Sequence, residues 1–337
     1  MQKFIDYSLL NHNTFGVDVK AKIFIEFDST DELIQYIKEG NLVDNKYLVI
    51  GQGSNLLFLN DFDGVVLHSA INGIELIEEN EDSVIIEVGS VVIVDDLIEY
   101  CVDRNWAGIE NLSLIPGEVG AAAVQNIGAY GVEIKDVVQK VKAVRITDAE
   151  KINLTQSECK YAYRDSIFKK ELKNKLIITS VVLKLSKRPV YNLSYQHLET
   201  AVKQRGELNL RNIRQTIIDI RESKLPNPKV IGNAGSFFMN PVVSIEKFNE
   251  LISVYPNLPH YHISNNTKKI PAAWLIDQCG WKGKVIGNVG VYEKQALVLI
   301  NCGGAKGKEI ADLSYKIQTS VKDKFGIKLT PEVNFID

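Results

Sequence analysis

Apolar and polar residues alternate over 22–27 (KIFIEF), the period-two pattern of a half-buried strand. The following DSTDEL offers an N-cap with acids in the first turn, and Gly40 marks the end of that helix. A second strand is predicted over 46–51 (KYLVIG), so the chain opens with strand, helix, strand, the unit of a small α/β domain. From Val65 to Gly89 the pattern is rich in strands. A short helix (VDDLIEYCVDRN) follows, with Gly108 just past its end. VVQKVKAVRIT and LIITSVVLKLS (176–186) are two more strands, which makes this part of the chain α+β, with many strands and few helices.

The grammar changes past a basic helix over 209–223. The segment 224–241 (KLPNPKVIGNAGSFFMNP) holds three prolines and two glycines, fits no regular element, and reads as the entrance to another domain. Helices then recur in SIEKFNELISVY, AAWLIDQC and a long amphipathic run from about Lys306 to Phe325, with a strand over VYEKQALVLIN. The chain closes on GIKLTPEVNFID, a strand that must find a partner elsewhere. No internal repeat is visible.

One stretch fits neither period. Asn111–Gly131 (NLSLIPGEVGAAAVQNIGAYG) has four glycines, four alanines and one charged residue, Glu118. It is too small-sided for a core helix and too apolar for a solvated loop. Small residues let backbone N–H and C=O groups approach a ligand closely, and turns of them can aim several N–H groups at a diphosphate. A tight crossing of buried elements has the same composition, so other segments must decide. GQGSNLLF (51–58) places Gly51 and Gly53 after a strand, but Leu56 stands where a dinucleotide fingerprint needs a third glycine and no helix pattern follows. What remains is a turn whose Ser54 and Asn55 could bind phosphate, or an ordinary glycine-rich turn.

Composition narrows the function classes. At 337 residues two or three domains are expected, and 45% hydrophobic with 24% charged residues is the balance of a globular protein. A net charge of −3 argues against a general nucleic-acid binder. The N-terminal residues have no signal-peptide pattern, and no apolar run is long enough for a bilayer span, so a cytosolic protein is expected. Cys101, Cys159, Cys279 and Cys302 are scattered, without a C-x-x-C pair, and His260 and His262 lack further ligands at metal spacing.

Three segments put reactive groups where packing does not require them. In GNAGSFFMNP, Ser236 follows Gly235 and precedes Phe237 and Phe238; it could donate a proton or hold an oxyanion, or bond its own turn. No G-x-S-x-G elbow surrounds it, which argues against a hydrolase nucleophile. In YAYRDS, Arg164 could fork onto a carboxylate or phosphate, or pair with Asp165. In LTPEVNF, Glu332 could be a half-buried acid or an ordinary surface carboxylate. Lys224 and Lys229 flank a proline turn and could meet a diphosphate or only solvent. Trp274 and Trp281 read as core.

Together these segments resemble the UDP-N-acetylenolpyruvoylglucosamine reductase family, MurB, of peptidoglycan synthesis. GQGSNLLF, ENLSLIPGEVGAAAVQNIGAYGVE, YRDSIFK, KLPNPKVIGNAGSFFMNP, AAWLIDQCGWKG, QALVLIN and PEVNFI come in the family's order and span nearly the whole chain. The resemblance is to the longer form, with a substrate-covering loop whose tyrosine would be Tyr195. It implies an α+β fold: an FAD-binding domain of the vanillyl-alcohol-oxidase type in two lobes (1–64 and 65–205, with the strand of 326–337 returning to the active site) and an α+β substrate domain over 224–325.

It also implies an enzyme, UDP-N-acetylmuramate dehydrogenase, in which NADPH reduces non-covalent FAD and the flavin reduces the enolpyruvyl sugar nucleotide. Ser236 would be the proton donor, with Arg164 and Glu332 on the enolpyruvyl carboxylate. Gly51, Gln52, Gly53, Ser54 and Asn55 would hold FAD, with Pro116, Gly117, Gly120, Ala121, Ala122, Gln125, Asn126, Gly128 and Ala129. Tyr163, Tyr195, Lys224, Asn240 and Gln295 would contact the UDP-sugar. Some relatives carry serines where this chain has Ala121 and Ala122, so hydroxyl contacts there must be replaced by backbone. No metal, nucleic acid, membrane insertion or obligate protein partner is implied. The alternative is a flavin-dependent oxidase of the same superfamily, and a non-catalytic nucleotide-binding protein would need the small-residue stretch without the three reactive residues.

Overall fold

The computed structural model describes residues 1–43, 45–195 and 197–337. In chain order its elements begin β1 (Gln2–Ser8), β2 (Lys20–Phe27), α1 (Thr30–Lys38), β3 (Tyr47–Ile50), β4 (Leu56–Phe58) and β5 (Phe62–Ser69). They continue β6 (Ile74–Glu79), β7 (Ser83–Gly89), α2 (Val94–Asp103), α3 (Val119–Gln125), β8 (Gly128–Ala129), β9 (Val132–Glu133) and β10 (Val138–Arg145). Next are β11 (Lys151–Thr155), β12 (Leu176–Ser186), α4 (Leu198–Arg205), α5 (Leu210–Lys224), β13 (Gly232–Ser236), β14 (Val242–Ser244) and α6 (Ile245–Val254). The last are β15 (Tyr261–Ser264), β16 (Thr267–Lys269), α7 (Ala272–Gln278), β17 (Val285–Ile286), β18 (Val289–Val291), β19 (Val298–Asn301), α8 (Gly307–Phe325) and β20 (Asn334–Ile336).

The elements form two compact units. The first comprises Met1–Tyr7, Ala21–Gln52 and Asp63–Ser223. One of its sheets runs β1-β2-β5-β3, with β3 parallel to β5. Helix α1 starts at Ser29, whose hydroxyl accepts from the Glu32 N–H, and buries Leu33, Tyr36 and Ile37 against Ile25, Phe27, Val65 and Leu67. The larger sheet, β11-β10-β12-β7-β6, is antiparallel throughout. Val84, Ile86 and Val88 of β7 and Val181, Leu183 and Leu185 of β12 share a core with Leu97, Ile98 and Cys101 of α2 and with Val119, Ala122 and Ala123 of α3. Burying each such Val or Leu removes roughly 2 kcal/mol of apolar surface from water, so this face fixes the strand register.

The second unit comprises Ser8–Lys20, Gly53–Phe62 and Lys224–Asp337. It contains an antiparallel sheet β13-β19-β18-β17, a three-stranded sheet β14-β16-β15, and the parallel pair β20 and β4. Ile310, Leu313, Ile317, Val321 and Phe325 recur along α8 at helical spacing and are all buried. Gly326, left-handed at φ +67°, ends that helix and donates its N–H to the Lys322 carbonyl.

Several expectations are corrected here. The Asn111–Gly131 stretch does contain a partly buried helix, α3, because alanine and glycine side chains are short enough for it to lie close on its neighbours. The segment 224–241 holds a strand, β13. The apolar run 291–301 is two strands, since a turn at Tyr292–Leu297 returns β19 onto β18. Asn105 (φ +57°), rather than Gly108, takes the left-handed position after α2. The expected bound at residue 64 falls inside β5, and Gly53–Phe62 groups with the second unit because β4 pairs with β20. Helix α4, over the charged LETAVKQR, was not foreseen; Leu198 and Val202 bury it against Ile213 and Ile217 of α5.

Candidate active site

In the first unit, β3 delivers the chain into the turn at Gly51 and Gln52. Gln52 Oε1 accepts the Gly117 N–H at 3.1 Å, tying that turn to the small-residue stretch. Beneath Gly51 lies the Glu118 carboxylate, 2.8 Å from where a Cβ would sit, so a larger residue at 51 would displace a buried charged group. Glu118 Oε1 meets His68 Nε2 at 3.1 Å, and Glu26 Oε2 meets His68 Nδ1 at 2.9 Å. Burial by itself would lower the His68 pKa, but the hydrogen bonds and charges of the two carboxylates raise it above 6.5. For Glu118 burial is the larger influence and raises its pKa despite the histidine. Each group therefore holds its proton to higher pH in the folded protein than its ordinary value would allow.

Helix α3 follows Glu118, with Ala121 and Gln125 half-buried and Gly120 and Ala122 buried; Pro116, ahead of it, is exposed. Asn126 ends the helix in the left-handed region. Gly128 and Ala129 then pair with Val132 and Glu133 across a two-residue turn at Tyr130 and Gly131, both at positive φ, the type that matches strand twist. Asn111 Nδ2 donates to the carbonyls of Tyr130 and Asn192 at 2.8 Å each, so this hairpin is bonded to the segment leading to Tyr195. The Tyr130 and Tyr195 rings meet edge-on at 5.2 Å.

Arg221, on α5, was not anticipated as a site residue. Its guanidinium bonds the Tyr130 hydroxyl, with Asp95 and Arg164 close enough to act on it electrostatically. Burial lowers its pKa from the ordinary arginine value. Only its place in a motif-free amphipathic helix was visible in the sequence, which gives no signal of burial. Arg164 sits at φ +54° in the YAYRDS loop, 5.7 Å from the ring of the half-exposed Tyr163; Asp165 pairs with Lys170.

In the second unit, Gly53 (φ +65°) would place a Cβ 2.0 Å from the His12 carbonyl, so the GQGSN motif demands glycine there for packing. Asn55 Nδ2 donates to the Glu332 carbonyl at 3.2 Å, and the Asn334 N–H donates to Asn55 O at 3.0 Å. The Glu332 N–H in turn donates to Phe237 O at 2.8 Å, which puts Glu332 on the backbone segment beside Ser236. Ser236 is exposed while Phe237 and Phe238 are fully buried. The register shift between Asn233 and Ser236, with Gly235 at φ +66°, is the bulge that turns the serine outward. Asn240 Oδ1 accepts the Ala272 N–H at 2.9 Å and so caps α7, while Gln295 Oε1 accepts the Leu297 N–H at 3.3 Å. Lys224 and Lys229 are exposed; Trp274 packs on Tyr255 and Phe325, and Trp281 is buried.

Residues 21–154 match the family described as FAD binding domain, and residues 226–336 match UDP-N-acetylenolpyruvoylglucosamine reductase, C-terminal domain. A UDP-N-acetylenolpyruvoylglucosamine reductase of Bacteroides fragilis is 52% identical over 98% of this chain and 99% of its own. The chain belongs to the UDP-N-acetylenolpyruvoylglucosamine reductase family. The Porphyromonas gingivalis member is 46% identical, covering 98% of both chains. The crystal structure of the Thermus caldophilus enzyme (MurB) has a TM-score of 0.69 over 100% of this chain and 98% of that one; at 21% identity it speaks for the fold.

An FAD domain of this family needs small residues and unsatisfied polar groups, and both are present. Among the described residues the buried Nε of Arg221 and the buried Oδ1 of Asn111 find no hydrogen-bond partner, leaving a donor and an acceptor beside the small-residue stretch for a polar guest. Among the described residues no group of three or more His, Cys, Asp or Glu side chains could hold a metal ion, and no helix is long and apolar enough to cross a membrane.

Proposed function

We propose that this chain reduces the enolpyruvyl group of UDP-N-acetylglucosamine enolpyruvate to give UDP-N-acetylmuramate, with NADPH as reductant, in the cytoplasm and without an obligate protein partner. FAD, when bound, carries hydride from NADPH to the enolpyruvyl double bond. Gly51, Gln52 and the stretch from Pro116 to Ala129 would hold it. The observation that supports the reading is the backbone bond from Glu332 N–H to Phe237 O, which brings the Glu332 segment beside the strand end that carries the exposed Ser236, while Phe237 and Phe238 are buried.

Hydride addition to a double bond conjugated with a carboxylate builds negative charge on that carboxylate. A guanidinium bonded to it stabilises the transition state more than the ground state, and that is the role assigned to Arg164, with Glu332 orienting the same group. The adjacent carbon must then take a proton, which Ser236 supplies. A serine hydroxyl is a weak acid, so it passes on a proton from its neighbours rather than ionising alone. Tyr163, Tyr195, Lys224, Asn240 and Gln295 are assigned to the sugar nucleotide. The test is NADPH consumption by the purified yellow protein, with product analysis by mass spectrometry. Consumption that requires the enolpyruvyl substrate and yields UDP-N-acetylmuramate supports the reading. Oxygen uptake without that substrate would point to an oxidase, and a protein that binds no FAD would end it.

A further inference from the structure

Arg164 lies in the left-handed region, where a non-glycine residue stays only if its surroundings hold it. Its turn is closed by two backbone bonds, Ala162 N–H to Asp165 O and Asp165 N–H to Ala162 O, at 3.0 Å each. The grip on that turn comes from the end of α3. Asn126 Nδ2 donates to the Ala162 carbonyl at 2.8 Å, and Ser166 Oγ donates to the Val124 carbonyl at 2.7 Å. Lys169 Nζ completes it, donating to the Arg164 carbonyl at 2.8 Å and to Gln125 Oε1 at 2.9 Å.

Lys169 differs from the other two in carrying charge. Its ammonium bonds the peptide oxygen of Arg164 itself, and charge-assisted bonds are roughly twice as strong as neutral ones. Fixing that carbonyl restrains ψ at Arg164, and with φ already set by the turn, the direction in which its side chain leaves the backbone is set too. The ammonium also lies at the C-terminal end of α3, where a cation is favoured. Lys169 is held in turn by its own anchors: Phe168 beside it is buried, and the Ile167 N–H donates to Cys159 O at 2.9 Å.

We propose that Lys169 is a positioning residue for enolpyruvyl reduction, locking Arg164 in its left-handed conformation against Gln125 at the end of α3. The proposal rests on the reading of Arg164 as the group on the substrate carboxylate. A positioning role exerted through Arg164 requires that the two substitutions not add.

The experiment is a double-mutant cycle with Lys169→Met and Arg164→Ala, recording FAD content from the visible spectrum, and kcat and KM for the enolpyruvyl substrate per bound FAD. Lys169→Met is expected to keep its FAD and lose roughly 10²-fold in kcat/KM, the scale of a misplaced binding group. In the Arg164→Ala background the same change should cost nothing more, and Lys169→Arg should restore most of the activity. Should Lys169→Met fail to fold, Lys169→Gln, which keeps a donor but no charge, replaces it. An impaired Arg164→Ala with a fully active Lys169→Met, or with additive losses, overturns the positioning role and leaves Arg164 standing. A fully active Arg164→Ala overturns the reading of Arg164 itself. Loss of FAD in Lys169→Met with normal turnover per bound FAD assigns Lys169 to cofactor retention and overturns the proposal.

Discussion

The Arg164 region of the first unit and the Ser236 region of the second hold their reactive groups by different devices. Around Arg164 the grip is side chain to backbone: Asn126, Ser166 and Lys169 each reach a carbonyl more than a few residues away in sequence. Around Ser236 it is mainly backbone to backbone, with Phe237 N–H donating to Leu297 O, Glu332 N–H to Phe237 O and Met239 N–H to Thr330 O beside one side-chain bond, Gly235 N–H to Asn233 Oδ1, while the phenyl rings beside the serine are sunk in the core. A backbone lattice does not depend on the side chain it presents, so that residue can be exchanged for chemistry alone. A side-chain grip couples position to identity, and any change to a gripping residue moves both stability and geometry.

The sharpest consequence concerns Ser236→Ala. Turnover of the enolpyruvyl substrate should fall roughly 10²-fold or more, the ordinary loss for a general acid, while the melting temperature and FAD content stay as they are. The serine is exposed and its neighbours hold the strand without it. A coincident loss of stability would break the comparison. Gly53→Ala should then do the opposite. Its Cβ meets the His12 carbonyl at 2.0 Å and its φ is positive, so about 2–3 kcal/mol of stability should be lost in denaturant unfolding. An unaffected midpoint would show that the His12 segment moves aside.

These two residues also show where the sequence was informative. The exposure of Ser236 was legible because its flanking glycine and aromatics suggest an accessible hydroxyl on an anchored turn, although the strand β13 was not, and α8 was legible from its spacing of apolar residues. GQGSN reads in the sequence as a single turn, phosphate-binding or ordinary, yet Gly51 faces Glu118 while Gly53 and Asn55 face His12 and Glu332. Local composition cannot distinguish a glycine that admits a ligand from one that admits a neighbouring carbonyl. Lys169 and Asn240 were illegible as supporting groups for a related reason. The first acts on Gln125 and the second on Ala272, contacts set by tertiary folding rather than by sequence spacing. The turn that divides 291–301 was hidden because apolar residues stand on both sides of it.

Asn240→Ala sharpens the comparison at smaller scale. Losing a cap on α7 should cost about 1 kcal/mol in unfolding free energy. If Asn240 also contacts the sugar nucleotide, KM for that substrate rises with it; an unchanged KM would leave it a helix cap.

The smallest expected effect is a slope with pH, and it probes the side-chain grip in the first unit. Burial opposes a charged His68, but Glu118 and Glu26 together raise its pKa above 6.5. A raised histidine contributes stability that is present in full below 6.5, its unfolded value, and is lost as pH climbs through the higher folded value. Glu118, raised above 4.5 chiefly by burial, acts in the same direction, since the folded state again holds more proton than the unfolded. Unfolding midpoints should therefore decline as pH rises from near neutrality into the alkaline range. Glu118→Gln keeps a side-chain partner for His68 but removes the more deeply buried of its two carboxylates, so its midpoint should decline less over the same range. A wild-type midpoint that holds level there, or a Glu118→Gln profile parallel to the wild type, would mean that Glu118 does not raise the proton affinity of His68 and that the floor under Gly51 is held by packing alone.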